Sequence, residues 1–105
     1  MPQFAVHRNK NPHSKATFPF LIDVQSDLLD ELNTRVVIPL TRTAGLARKP
    51  LSHLTPTLSF EGDTYLLMTP QLAGIARADL GPRAGSLVDQ REQIMAAVDF
   101  LLTGF

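Results

Sequence analysis

Alternation of apolar and polar residues near the N-terminus constrains the fold more than any other feature of this sequence. Phe4 and Val6 fall on one side of residues 3–8, and apolar residues recur at every second position from Phe18 to Val24 within residues 17–25. A period of two places successive side chains on opposite faces of a strand, so both segments are predicted to be half-buried strands. Residues 9–14 between them are rich in turn formers, which predicts a hairpin with a polar tip.

The middle of the chain contains two further strand patterns. Residues 34–41 are β-branched and apolar, but Pro39 lacks a backbone N–H, so this strand is expected to end there or to lie at an edge or a bulge. Residues 57–60 and 64–68 flank a short turn in which Gly62 can supply a positive φ. This arrangement predicts a second hairpin.

The last third of the chain changes from strand to helix character. Residues 70–73 predict a short helical turn and residues 75–80 a final strand, followed by the glycine- and proline-containing residues 81–85. Ser86, three residues before Asp89, resembles a capping box and is predicted to open a helix that runs through Leu102. Gly104 is suited to ending it.

Several short strands followed by one helix predict an α+β fold, a small, strongly curved antiparallel sheet with the helix packed on it. The 105 residues correspond to one domain, 1–105, and 44% apolar residues are enough for a continuous core.

Composition excludes several classes of function. The chain has no cysteine, which excludes disulfides, thiolate metal sites and a cysteine nucleophile. Ten Lys and Arg balance ten Asp and Glu, which argues against a protein held to nucleic acid mainly by charge. Because the sequence also lacks a membrane span and a signal pattern, we predict a soluble, cytoplasmic protein.

No motif for a metal or a nucleotide cofactor is found. His7, His13 and His53 lie in separate segments without the spacing of a helical metal site, and the six glycines form neither a P-loop nor a dinucleotide fingerprint. The acidic residues between 23 and 31 could hold magnesium or perform acid–base catalysis, but capping of a turn by Ser26 or Asp27 is the favoured interpretation. We therefore predict no cofactor and no metal.

Three surface features are candidates for binding a partner. Leu28 and Leu29 are adjacent in a polar loop, where they are either buried in the core or form an exposed apolar patch. The apolar end of the chain indicates that it packs into the core of the protein or binds a partner. Two stretches, residues 8–15 and 42–49, carry basic residues and no acidic ones. Such stretches are either solvated surfaces or binding sites for an acidic disordered peptide or nucleic acid.

Four segments, taken in order, resemble the CcdB family of toxins from toxin–antitoxin modules. They are residues 20–30 with the motif DVQSD, residues 35–40 with VIPL, residues 67–69, and Arg91-Glu92 before a terminal apolar helix that ends in Gly104-Phe105. This match covers nearly the whole chain.

The resemblance implies a small SH3-like β-barrel with a C-terminal helix, forming a symmetric homodimer without enzymatic activity. In the family the dimer binds the A subunit of DNA gyrase, traps the enzyme with its DNA cut and so causes double-strand breaks. A paired antitoxin neutralises the toxin, and the complex of the two represses their operon. DNA is contacted through the antitoxin or through gyrase.

Carried over residue by residue, the gyrase-binding positions of the family fall in the acidic turn and at the end of the chain: Leu28, Leu29, Asp99, Leu102, Thr103, Gly104 and Phe105. Thr103 stands where the family pattern has tryptophan, and Asp99 replaces an amide by a charge. We expect Phe105 to supply the aromatic area that Thr103 lacks.

The antitoxin-binding positions fall on the tip of the first hairpin and on the loop after the VIPL strand: Arg8, Asn9, Lys10, Asn11, His13, Lys15, Arg42, Arg48 and Lys49. These are the two basic stretches already described.

Two alternatives stay open. The same barrel occurs in toxins that cut messenger RNA, and such an endoribonuclease would need a cleft built from Arg8, His13, Arg42 and the pair Asp23 and Asp27. An inactive relative that still binds antitoxin would be consistent with the loss of the tryptophan.

Overall fold

The computed structural model describes residues 2–43 and 53–104. In these two ranges seven strands and one α-helix follow one another along the chain: β1 (Ala5–Asn9), β2 (Phe20–Asp23), β3 (Thr34–Arg42), β4 (Thr57–Phe60), β5 (Asp63–Leu67), β6 (Ala73–Ala76), β7 (Leu80–Ser86) and α1 (Arg91–Thr103). The strands form one antiparallel sheet in the order β4-β5-β3-β2-β1-β7, with β6 also paired to β3. The sheet curls into a half-barrel that carries the helix, which confirms the predicted α+β architecture.

The main core lies between one face of the curled sheet and the helix. Ile22, Ile38 and Leu40 from the central strands are fully buried there, together with Ile94 and Ala97 of α1. Full burial of an aliphatic side chain such as Ile or Leu contributes about 1.5–3 kcal/mol. The first half of α1 is therefore anchored to the sheet by its apolar face.

Both predicted hairpins are confirmed. β1 and β2 pair with Val6 opposite Ile22, and β4 and β5 pair with Leu58 opposite Tyr65. The second hairpin turns through Glu61 and Gly62, whose φ values of 50° and 84° are both positive. A two-residue turn with two positive φ values matches the twist of the flanking strands.

β3 does not end at Pro39, nor does it lie at an edge, contrary to expectation. It pairs with β2 on one side and, on the other, first with β6 and then with β5. The Pro39 carbonyl accepts a hydrogen bond from Met68 N at 2.9 Å on the β5 side. The backbone N and O atoms of a strand residue point to the same side, so the nitrogen of Pro39 faces the side of β5 and β6. Pro39 lies there between the part of β3 that pairs with β6 and the part that pairs with β5.

The prediction of a final strand over residues 75–80 is wrong. β6 ends at Ala76, a 3-10 turn covers Arg77–Asp79, and β7 runs through the glycine-rich segment. A Cβ on Gly81 would lie 2.3 Å from the Arg8 carbonyl oxygen, and a Cβ on Gly85 would lie 2.7 Å from the Phe60 ring. These glycines permit close packing of a strand and do not mark a turn.

The α-helix begins later than predicted. Ser86 Oγ accepts a hydrogen bond from Val88 N at 3.2 Å but lies one residue before the N-cap, Leu87, of a 3-10 turn, Val88–Gln90, which precedes Arg91. The end is as predicted, because Gly104 adopts a φ of 78° and its N–H donates to the Phe100 carbonyl.

Candidate functional site

The loop after β2 exposes its two adjacent leucines. A 3-10 turn, Asp27–Leu29, begins where Ser26 Oγ accepts a hydrogen bond from Leu28 N at 3.2 Å. Leu28 is 94% exposed and Leu29 50%. The structure therefore decides between the two interpretations of these leucines: they form an exposed patch and are not buried in the core.

A buried ion pair supports this turn from the sheet. Arg35 Nε donates to Asp23 Oδ2 at 2.7 Å, and both side chains are fully buried. A second nitrogen of Arg35 lies 3.2 Å from Asp30 Oδ1, at the end of the turn. Gln25 adds a hydrogen bond from Nε2 to the Leu29 carbonyl at 3.0 Å. The exposed leucines thus stand on a polar network that reaches into the interior.

Sequence reasoning missed Arg35 and Gln25 as supports of the turn. A signal was present, because Arg35 lies in the same alternating phase of β3 as Val37, which is buried. A charged residue in the buried phase of a strand requires a paired charge, since an unpaired buried charge is very unfavourable. Asp23, on the neighbouring strand β2, was the available partner.

The C-terminal turn of α1 projects the second predicted set of binding residues. Asp99, Leu102, Thr103 and Gly104 are all exposed, and Leu102 is 74% exposed. Thr103 Oγ1 donates to the Asp99 carbonyl at 2.7 Å, which engages its hydroxyl within the helix. Phe105 lies outside the described residues. The helix therefore has an anchored first half and an exposed apolar end.

The tip of the first hairpin is shaped by its own asparagines. Asn9 Nδ2 donates to Ser14 Oγ at 3.0 Å and to the Phe18 carbonyl at 2.9 Å, while Asn9 Oδ1 accepts from Asn11 N. Asn11 Oδ1 in turn accepts from His13 N at 2.9 Å. These side chains hold the tip together by local hydrogen bonds.

The basic residues of the tip lie at the surface. Arg8, Lys10, His13 and Lys15 are all exposed. Lys10 Nζ donates to the Ala78 carbonyl at 2.9 Å, which ties the tip to the turn between β6 and β7. The tip therefore combines a locally determined shape with a basic surface.

The fold places Arg8 and Arg42 over two aromatic rings that contact each other. The guanidinium carbon of Arg8 lies 5.6 Å from the centre of the Phe20 ring, and that of Arg42 lies 5.7 Å from the Tyr65 ring. The two rings meet edge to face at 5.6 Å. Arg8 and Arg42, far apart in the sequence, are therefore linked through two rings that contact each other. Arg48 and Lys49 lie outside the described residues.

The carboxylates proposed for an RNA-cutting cleft are already engaged. Asp23 is fully buried against Arg35, and Asp27 Oδ1 accepts from Gln3 N at 2.8 Å. His7 is buried too, with Nδ1 at 3.1 Å from the Gly81 carbonyl. Within residues 2–43 and 53–104, no group of three His, Asp or Glu side chains is placed to hold a metal ion. An Asp23 sequestered from solvent is a poor general base for a bound RNA.

No helix in the described part of the chain is long and apolar enough to cross a membrane.

Comparison with known proteins agrees with the resemblance seen in the sequence. A family model described as CcdB protein matches residues 3–104, nearly the whole chain. The matched range contains the leucine-bearing turn, the basic hairpin tip and the exposed end of α1. The chain belongs to the CcdB family, the toxins of toxin–antitoxin modules.

Proposed function

We propose that this protein is a non-enzymatic toxin that binds the A subunit of DNA gyrase, traps the enzyme on cleaved DNA and so causes double-strand breaks. The observation that carries the proposal is the exposure of Leu28 and Leu102, 94% and 74%, in a chain of the CcdB family. An exposed apolar patch, such as the one that Leu28 forms with the adjacent Leu29, is typical of a partner surface.

The proposed gyrase surface consists of the turn residues Leu28 and Leu29 and of the end of α1: Asp99, Leu102, Thr103, Gly104 and Phe105. A homodimer would present this surface twice to a two-fold symmetric enzyme. Two linked contacts raise the overall affinity well above that of one contact, provided that both can form together. Binding alone then suffices for toxicity, and no reaction is required of the toxin.

Thr103 weakens the proposed contact relative to the tryptophan of the family pattern. Tryptophan is a frequent interface anchor because it buries a large area, and a threonine cannot replace that area. The hydroxyl of Thr103 is also engaged with the Asp99 carbonyl. We therefore expect Leu102 and Phe105 to supply most of the apolar contact at the helix end.

The antitoxin is proposed to bind the basic surface around Arg8 and Arg42. An acidic disordered segment would form charge-assisted hydrogen bonds there and would become ordered as it binds. The remaining proposed contacts are Asn9, Lys10, Asn11, His13, Lys15, Arg48 and Lys49. Because the net charge of this chain is zero, the DNA contacts of the repressing complex are assigned to the antitoxin.

A cleavage assay with purified gyrase tests the proposal. The full chain should increase the amount of linear DNA trapped with gyrase, and a variant without residues 103–105 should not, because the end of the proposed contact is gone. Circular dichroism and size-exclusion chromatography should show that the truncated protein stays folded and keeps its oligomeric state. As a matched control, Val88→Asp changes a residue that is 48% exposed at another place and should leave trapping intact.

Three results would contradict the proposal. Unchanged trapping by the truncated protein would remove the helix end from the contact. Cleavage of purified RNA by the full chain, with no trapped gyrase, would instead support an endoribonuclease, and binding of antitoxin without either effect would indicate an inactive relative.

A further inference from the structure

The segment between β2 and β3 carries a third exposed leucine besides Leu28 and Leu29. Leu32 is 48% exposed, so three leucines within five residues face solvent. A loop that must be ordered when it binds loses conformational entropy at that moment, which weakens the complex. How this segment is held in the free protein therefore affects how well it can bind.

Arg77 holds the segment from the side. It lies in the 3-10 turn between β6 and β7, more than 40 residues along the chain from the leucines. Its Nη2 donates to the carbonyl of Asp30 and, at 2.9 Å, to the carbonyl of Leu32. Its backbone N–H donates to the carbonyl of Asn33 at 2.7 Å. One residue thus contacts the backbone at three of four consecutive positions.

The contribution of Arg77 differs from that of the buried Arg35. Removal of Arg35 would leave Asp23 unpaired in the interior and would threaten the whole fold. The side chain of Arg77 is 35% exposed and two of its acceptors are neutral carbonyls, so its removal leaves no buried charge. The segment can therefore be loosened at Arg77 while the sheet below it stays intact.

We infer that Arg77 is a positioning residue that fixes the segment of residues 27–33 and so presents Leu28, Leu29 and Leu32 to the partner in an ordered conformation. The inference rests on the proposed function, because the partner is the gyrase A subunit. Arg77 acts through the backbone of the segment and is not itself assigned to the contact. Its loss should weaken gyrase binding about 10-fold, chiefly through faster dissociation, since pre-ordering of a loop is what it supplies.

Three variants of the full chain test the inference. Arg77→Ala removes both side-chain hydrogen bonds, and Arg77→Lys keeps a donor that can reach one of the two carbonyls. Arg83→Ala is the matched control, because it removes the same charge from an exposed arginine whose Nε donates locally, to the Gly85 carbonyl at 3.3 Å. All three should stay folded at the temperature of the measurements, which circular dichroism checks.

Hydrogen exchange reports on the segment without any partner. The amides of Leu29, Asp30 and Leu32 donate to carbonyls of residues 26–29 at 3.0–3.2 Å, so their exchange rates measure the order of the segment. Arg77→Ala should accelerate these amides about 10-fold relative to the amides of β2 and β3, with Arg77→Lys intermediate and Arg83→Ala unchanged. Affinity for the purified gyrase A subunit should fall in the same order.

Failure of the inference and failure of the proposed function give different results in these experiments. If the exchange rates in Arg77→Ala equal those of the parent, Arg77 does not hold the segment and the inference is wrong. Faster exchange with unchanged gyrase affinity would also overturn it. If the parent protein itself fails to bind the gyrase A subunit, the proposed function is wrong, and with it the assignment of the partner, whatever the exchange rates show.

Discussion

The leucine-bearing segment and the tip of the first hairpin are both polar loops that follow a strand, yet they are held in opposite ways. In the hairpin tip, Asn9 and Asn11 bond to atoms within nine residues of themselves. In the leucine segment, supports come from Arg35 on β3 and from Arg77 beyond β6. The tip is held mainly by local contacts, to which Lys10 adds one distant contact at Ala78, whereas the leucine segment depends on Arg77 from beyond β6.

This difference suggests how one small chain can have two binding surfaces. A locally held tip keeps its shape when distant parts of the chain change, while a remotely held segment responds to changes in the barrel. Variants can therefore affect one proposed partner and spare the other.

Replacement of Arg35 by alanine should destabilise the leucine segment and the barrel together. Asp23 would be left as an unpaired buried charge, which costs about 3–5 kcal/mol of unfolding free energy. Urea denaturation followed by circular dichroism measures this loss. The double variant Asp23→Leu, Arg35→Leu should recover part of it, because it removes both charges. A loss below about 1 kcal/mol in Arg35→Ala would show that the pair contributes little to the fold.

Replacement of Leu28 and Leu29 by aspartate should abolish gyrase binding and leave the fold intact. Hot spots of an interface contribute about 2 kcal/mol or more each, so the two changes together should lower affinity by about 1000-fold, whereas exposed positions change stability by about 0.5 kcal/mol or less. Titration calorimetry with the gyrase A subunit and thermal melting measure the two effects. Val88→Asp is the control. Equal affinities for the double variant and the parent would remove the turn from the contact.

Replacement of Asn9 by alanine should disturb the hairpin tip alone. The variant loses hydrogen bonds to Ser14, Phe18 and Asn11 at the tip, which should lower stability by about 1–2 kcal/mol. Binding of an acidic antitoxin peptide should weaken and gyrase binding should not change. Fluorescence anisotropy with a labelled acidic peptide tests the first statement. A parallel loss of gyrase affinity would show that the two surfaces are coupled.

Sequence patterns predicted elements whose signals are local. The β4–β5 hairpin was predicted because Gly62 can adopt a positive φ, and the end of α1 because Gly104 can do the same. β7 was missed for the opposite reason. Its glycines indicate a turn when considered alone, but Gly81 lies against the carbonyl of Arg8, which only the pairing of β7 with β1 brings near.

The candidate site shows the same division. The sequence drew attention to Leu28 and Leu29, but it could not decide whether they are buried or exposed, because that depends on what packs above the turn. It also pointed to basic residues at Arg8 and Arg42 without indicating that the rings of Phe20 and Tyr65 connect them.

Residue order alone establishes the strand and helix periods, the positions of both hairpins, the absence of thiol chemistry and the membership of the CcdB family. The folded chain is needed to show that the leucines face solvent, that Asp23 and Arg35 are paired in the interior and that Arg77 reaches the loop between β2 and β3. These two groups of properties differ in the distance along the chain over which the underlying interactions act. Backbone preferences and turn chemistry act over a few residues, whereas burial, charge pairing and close approach of strands join residues tens of positions apart.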